Sequence, residues 1–135
     1  MLPLFGVSLW KRLLASVLYG GITEDILMRL FLLSSLAWIF GRWWRTPEGI
    51  PTRGAFWAAI IMVALLFGLG HLPSTSMITP LTQMLVVRAL VLNGIAGVAF
   101  GYLYWRYGLE AAMSAHMGAH LVMQVPSVML LKAML

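Results

Sequence analysis

Long apolar runs constrain this chain more than any other feature of its sequence. Five of them, separated by short polar breaks, lie at roughly 4–19, 22–41, 54–71, 82–105 and 109–131. A helix needs about 20 residues to cross the hydrocarbon core of a bilayer. Because 61% of the residues are hydrophobic and only 10% are charged, against about 25% charged in soluble domains, we predict an all-α fold. Its architecture is expected to be a polytopic transmembrane helical bundle with four to five membrane helices.

The first run allows two arrangements. Lys11 and Arg12 interrupt it, and the pair Gly20–Gly21 closes it. Residues 1–19 are therefore expected either to form a separate membrane helix or to join the second run in one long helix kinked at the glycines, which weaken helices. In the fourth run, Gly97 and Gly101 are four residues apart, and this spacing predicts close approach of a neighbouring helix.

The charge distribution predicts the orientation in the membrane. Loops 42–53 and 106–108 carry arginines and share one side in a simple alternation of spans, whereas loop 72–81 has no charge. Because positive loops stay in the cytoplasm, we place 42–53 and 106–108 there. Topology accounts for the net charge of +5, so no nucleic-acid partner is expected. The chain has no cysteine, which excludes disulfides and cysteine-based metal sites.

The stretch GGITEDILMRL, residues 20–30, places charged groups inside an apolar run. Ionised side chains in a bilayer cost several kcal/mol and usually serve a function. Asp25 and Arg29 are four residues apart, so one helix face holds both and they are expected to form an ion pair. Glu24 is turned about 100° from Asp25 and is therefore expected to face another partner.

The three histidines are the natural partners for Glu24. His71 ends the third run, and His116 and His120 lie on one face of the fifth. Together these groups can perform acid–base chemistry on a water molecule or bind zinc; alternatively, each histidine only bonds a backbone carbonyl. We expect the four side chains to converge on one cavity. At 1.5 Å per residue, Glu24 and His71 lie about 22–26 Å from the arginine-bearing side and the other two histidines about 10–17 Å, so either the helix ends are misplaced or the site is looser than this convergence implies.

Three short motifs resemble one known family. Glu-Asp-x-x-x-Arg starts at residue 24, Phe-x-x-x-His at residue 67 and His-x-x-x-His at residue 116. This order resembles the CPBP family of intramembrane proteases, also called the CAAX protease or Abi family. The resemblance covers roughly 8–125 and implies a single protease-like domain over 1–135, with catalytic motifs within 20–124. It also implies an integral protein of a bacterial or archaeal plasma membrane, acting on a peptide or protein substrate that is membrane-embedded or lipidated.

The resemblance also implies roles for the motif residues. Glu24 would activate the attacking water with the help of His71, and His116 and His120 would stabilise the oxyanion. On this interpretation the enzyme is a hydrolase that requires no cofactor.

At the remaining motif positions, some residues match the family pattern and others depart from it. Asp25 and Arg29 are expected to support the structure. Asp25 replaces the family's second glutamate, His120 replaces its asparagine, and Met28 and Leu30 stand where an aromatic residue and a glycine are common.

Three alternatives to this interpretation remain open. One is a zinc-dependent variant, for which Glu24, His71, His116 and His120 are the candidate ligands. Another is a non-catalytic immunity factor or scaffold on the same bundle. The last is a metal or proton transporter that uses the same cluster.

Overall fold

The structure, a computed structural model, describes residues 9–133, and every regular element in that range is a helix. The predicted all-α fold is therefore confirmed for this range; the start of the first apolar run lies outside it. The helices are α1 Leu9–Leu18, π1 Tyr19–Glu24, π2 Ile26–Leu33, α2 Ser34–Gly41, α3 Arg53–Gly70, α4 Leu72–Ile78, α5 Gln83–Tyr107 and α6 Leu109–Ala133.

The first four elements follow one another without a loop and form one rod over residues 9–41. Asp25 and Ser34, at two of the junctions, keep right-handed helical backbone angles. The middle of the rod, π1 and π2, is π-helical, so its hydrogen bonds skip one residue more than in an α-helix. Of the two arrangements expected for the first run, the described part shows the continuous one.

Helices α3 and α5 pack closely and antiparallel at glycines. A Cβ atom on Gly97 would lie 2.9 Å from the Cα of Ala64, and one on Gly101 would lie 3.1 Å from the Ile60 side chain. Because 97 faces 64 while 101 faces 60, the two chains run in opposite directions. The close approach predicted at Gly97 and Gly101 is confirmed.

The buried core lies where the rod meets α3, and its residues are small or branched: Leu33, Ala37, Ala59, Ile60 and Val63. The outer surface, by contrast, carries many large apolar side chains, such as Phe31, Leu65 and Ile95. Such a surface suits a bundle surrounded by lipid.

Two helical stretches are long and apolar enough to cross a membrane, Arg53–Ile78 and Gln83–Tyr107. The predicted total of four to five membrane helices stays a prediction.

The α3–α5 contact generates a stability prediction. Gly97→Ala should lower the thermal unfolding midpoint in detergent, because the new methyl group meets backbone atoms of α3 and overpacking costs about 1–3 kcal/mol. Gly94→Ala is the matched control, since a Cβ there has no neighbour within 4 Å and alanine favours the helix by up to about 1 kcal/mol. Equal midpoints for the two variants would contradict the packing described.

Candidate active site

A fully buried ion pair lies at the centre of the site. Arg29 Nη1 is 3.0 Å from Asp25 Oδ1, and both side chains are completely shielded from solvent. The guanidinium also faces two aromatic rings, with its Cζ 4.8 Å from the Phe67 centroid and 5.3 Å from that of Phe100. The pair expected from the four-residue spacing is thus present, and aromatic faces supply further attraction to the cation.

The second oxygen of Asp25 holds a histidine. Asp25 Oδ2 is 3.3 Å from His116 Nδ1, and because a carboxylate only accepts, the Nδ1–H donates. The other ring nitrogen, Nε2, then lies 3.7 Å from Glu24 Oε2. Asp25 therefore connects Arg29 to His116, and His116 connects Asp25 to Glu24.

His116 is fixed by ring packing as well as by its hydrogen bond. Its ring stacks on Phe100 with centroids 4.5 Å apart and on His120 with centroids 5.0 Å apart. Only 4% of the residue is exposed. The imidazole consequently has little freedom to rotate away from the carboxylates.

Glu24, His116 and His120 form a compact set of potential ligands. One ligand atom from each lies within 4.8 Å of the others. Two buried atoms in the set, Glu24 Oε2 and His120 Nε2, have no hydrogen-bond partner among the described residues. Buried polar atoms of this kind are normally satisfied by a protein group, a water molecule or an ion.

His71 directly follows α3 and caps its C-terminal end. Its Nδ1–H donates to the Phe67 carbonyl at 2.7 Å, which leaves Nε2 as the free nitrogen of a neutral ring. His71 and Glu24 both line a cavity of about 360 Å³. The lining consists of Tyr19, Glu24, Leu27, Met28, Phe67, Gly70, His71 and Ser74.

Glu24 thus belongs to two overlapping groups of the predicted site residues. His71 shares the cavity with it, whereas His116 and His120 share the compact set of ligand atoms. Of the four candidate zinc ligands, the compact set contains Glu24, His116 and His120.

Residue counting placed Glu24 and His116 at different depths, whereas the structure brings them together, with Glu24 Oε2 3.7 Å from His116 Nε2. The count assumed an α-helical rise along the whole second run. Instead, π2 lies between Glu24 and the arginine-bearing end of the rod. A π-helix has more residues per turn and advances less per residue, which accounts for part of the difference.

The sequence of the chain matches a family model described as type II CAAX prenyl endopeptidase Rce1-like, over residues 6–122. The chain belongs to the Rce1-like family. All three sequence motifs fall within the matched segment, and the predicted relationship to the CAAX proteases is confirmed. Comparisons with curated proteins and with solved structures give no match.

Membership of the Rce1-like family also gives the coarse setting of the site. The family is a membrane-embedded protease family, although it includes non-catalytic members. Peptide or protein substrates and association with a membrane follow from the family. The two membrane-capable helical stretches agree with that setting.

Phe100 is a site residue that the sequence reasoning missed. It faces both Arg29 and His116, yet it lies in a helix with no charged motif residue. The available signal was its position between Gly97 and Gly101, because the glycine spacing had already marked this part of α5 as tightly packed.

The buried pair generates a second stability prediction. Asp25→Asn and Arg29→Gln should each lower the free energy of unfolding by about 3–5 kcal/mol, because each leaves the other charge unpaired in the core. The double variant should lose much less than the sum, and a double-mutant cycle in detergent measures the difference. Strict additivity would show that the two charges do not interact as described.

Proposed function

We propose that the protein is an intramembrane endopeptidase that hydrolyses a peptide bond in or near the bilayer. Glu24 activates the attacking water, and His71 assists it. The observation that carries this proposal is that Glu24 and His71 line the same cavity from separate segments of the chain, with only one ring nitrogen of His71 engaged by a backbone carbonyl. Membership of a protease family supports it independently.

The chemistry uses Glu24 as a general base. It accepts a proton from a water molecule in the cavity while the water oxygen bonds to the scissile carbonyl carbon. When the tetrahedral intermediate collapses, the carbon–nitrogen bond breaks and the same proton passes to the leaving amine. A positioned base of this kind accelerates a reaction about 10²–10⁴-fold. The Glu24 side chain is 22% exposed, so it can reach water, unlike the fully buried Asp25.

His116 and His120 are proposed to stabilise the oxyanion by donating hydrogen bonds. Because Asp25 accepts from Nδ1 of His116, its Nε2 donates only when the ring is doubly protonated. Such an imidazolium would lie between two carboxylates, at 3.3 and 3.7 Å. His120 Nε2, which has no partner among the described residues, donates in the neutral tautomer that carries its proton there.

The proposed substrate is a membrane-embedded or lipidated peptide. The cavity lining supports an extended, mostly apolar ligand, since Leu27, Met28 and Phe67 contribute to it beside the polar residues. The family name refers to prenylated CAAX substrates, so a prenylated CAAX peptide is a suitable first probe.

Two variants test the catalytic assignment. Glu24→Gln and His71→Ala should each reduce cleavage of a prenylated peptide in detergent or proteoliposomes, Glu24→Gln by about 10²–10⁴-fold because the general base is lost. Glu110→Gln is the matched control, since it removes an exposed carboxylate at the start of α6 and should keep full activity. Full activity of either site variant would refute the roles; an unchanged cellular phenotype for Glu24→Gln would favour the non-catalytic alternative.

One observation favours a zinc-dependent variant as the second candidate. Two histidines and one glutamate are a known ligand set for catalytic zinc, which leaves a fourth position open. The donor atoms of Glu24, His116 and His120 are close enough together to fit this set. Asp25 would orient His116 from behind, as carboxylates commonly do for zinc-binding histidines. Bound zinc would supply Lewis-acid polarisation of the scissile carbonyl.

Metal analysis of the purified protein tests this candidate. If zinc is bound, it should be present in stoichiometric amount, chelators should remove it, and His116→Ala or His120→Ala should abolish binding. His71→Ala should retain the metal, because His71 is not part of the compact ligand set. Protein that cleaves peptide but contains no zinc would exclude the candidate.

A further inference from the structure

A second polar cavity lies at the end of the bundle where α3 begins and α5 ends. It has a volume of about 230 Å³ and is lined by Arg53, Trp57, Tyr102, Trp105 and Arg106. None of these residues belongs to the candidate active site.

The antiparallel register of α3 and α5 holds these side chains together. Trp57 stacks on Tyr102 with centroids 5.9 Å apart, and its ring meets that of Trp105 edge-on at 6.2 Å. Arg53 is the first residue of α3, and Arg106 lies in the last turn of α5. Both guanidinium groups are therefore attached to helix ends whose relative position is fixed by packing.

The cavity carries positive charge without a compensating carboxylate. Its lining contains two arginines and no acidic residue. In residues 9–133, the ion pairs involve only Glu24 and Asp25 as acids, with Arg29 and His116 as partners. Arg53 and Arg106 are both exposed, so an anion can approach them.

The other arginines near this end lie outside the cavity, whereas the Cζ of Arg106 lies 5.8 Å from the ring centroid of Trp105, within the cavity lining. Arg42 places its guanidinium 5.1 Å from the Trp38 ring, and Arg45 donates to the Arg42 carbonyl. Neither lines the cavity. The pair of arginines in the cavity is thus a local arrangement and not merely part of a diffuse basic surface.

We propose that this cavity binds the phosphate group of an anionic membrane lipid. Guanidinium groups bind phosphate oxygens through paired, charge-assisted hydrogen bonds. Tryptophan and tyrosine rings prefer the headgroup layer of a membrane, and here three of them adjoin the two cations. The ligand is a lipid because the cavity lies at the end of two membrane-capable helices, in a chain of a membrane-embedded family.

Lipid-dependent thermal stability tests this proposal. The protein is reconstituted in nanodiscs of phosphatidylcholine alone or of phosphatidylcholine mixed with phosphatidylglycerol. The mixed lipid should raise the unfolding midpoint of the unaltered protein. Arg53→Gln and Arg106→Gln should each remove most of that increase and weaken phosphatidylglycerol retention in native mass spectrometry by about tenfold or more, since a hydrogen bond to a charged group is lost.

Arg42→Gln is the matched control, because it removes the same charge at the same end of the bundle but outside the cavity. It should keep the full lipid-dependent increase. Variants are compared with their own midpoint in phosphatidylcholine alone, so a general loss of stability does not imitate a loss of binding. Arg53→Lys, which keeps the charge without the planar fork, should give an intermediate increase.

Three outcomes would overturn the proposal. One is an equal loss in the Arg42 variant, which would indicate surface charge alone. Another is an unaltered lipid effect in both cavity variants. The third is a stabilisation of equal size by inorganic phosphate added to phosphatidylcholine nanodiscs, which would identify a soluble phosphate as the ligand.

Discussion

The buried ion pair of Asp25 and Arg29 is the interaction on which the rest of the site depends. Removing two charges from water costs several kcal/mol for each ion, and their attraction offsets this only with good geometry and further contacts. Beyond the ion pair, the guanidinium nitrogens have no hydrogen-bond partner among the described residues, and the further attraction comes from the ring faces of Phe67 and Phe100. Arg29 balances the charge of Asp25 at one carboxylate oxygen, and the other oxygen accepts a hydrogen bond from His116. The same pair thereby stabilises the bundle and orients a candidate catalytic ring.

Two adjacent carboxylates have different surroundings because successive residues of a helix point in different directions around its axis. Asp25 points into the core and is fully buried, whereas Glu24 borders a cavity and keeps 22% exposure. A base that exchanges protons with water needs the second environment, and a carboxylate that fixes a histidine is best placed in the first. The helix thus gives the two carboxylates of a single motif different environments, one buried in the core and one bordering a cavity.

Much of this arrangement could be predicted from residue spacing, and the remainder could not. The i, i+4 spacing predicted the Asp25–Arg29 pair, and the glycine spacing predicted the contact of α5 with α3. The depth of Glu24 could not be predicted, because nothing in the sequence of residues 26–33 distinguishes a π-helix from an α-helix. The position of His71 relative to the other histidines was also beyond sequence reasoning, because it depends on tertiary packing: the Phe67 ring lies between His71 and His116, with centroids 4.7 and 5.7 Å away.

The histidine at position 120 shows how one departure from the family pattern is accommodated. An imidazole is bulkier than the asparagine expected there, and the ring of His120 approaches the rod at Gly20, where a Cβ atom would collide with it. Met117, one turn earlier on α6, approaches Gly21 in the same way. The glycine pair therefore does more than interrupt the first apolar run: without side chains at these two positions, α6 can bring an imidazole close enough to place its nitrogen within 4.8 Å of the Glu24 carboxylate. The ring at 120 and the missing side chains at 20 and 21 are complementary parts of one contact.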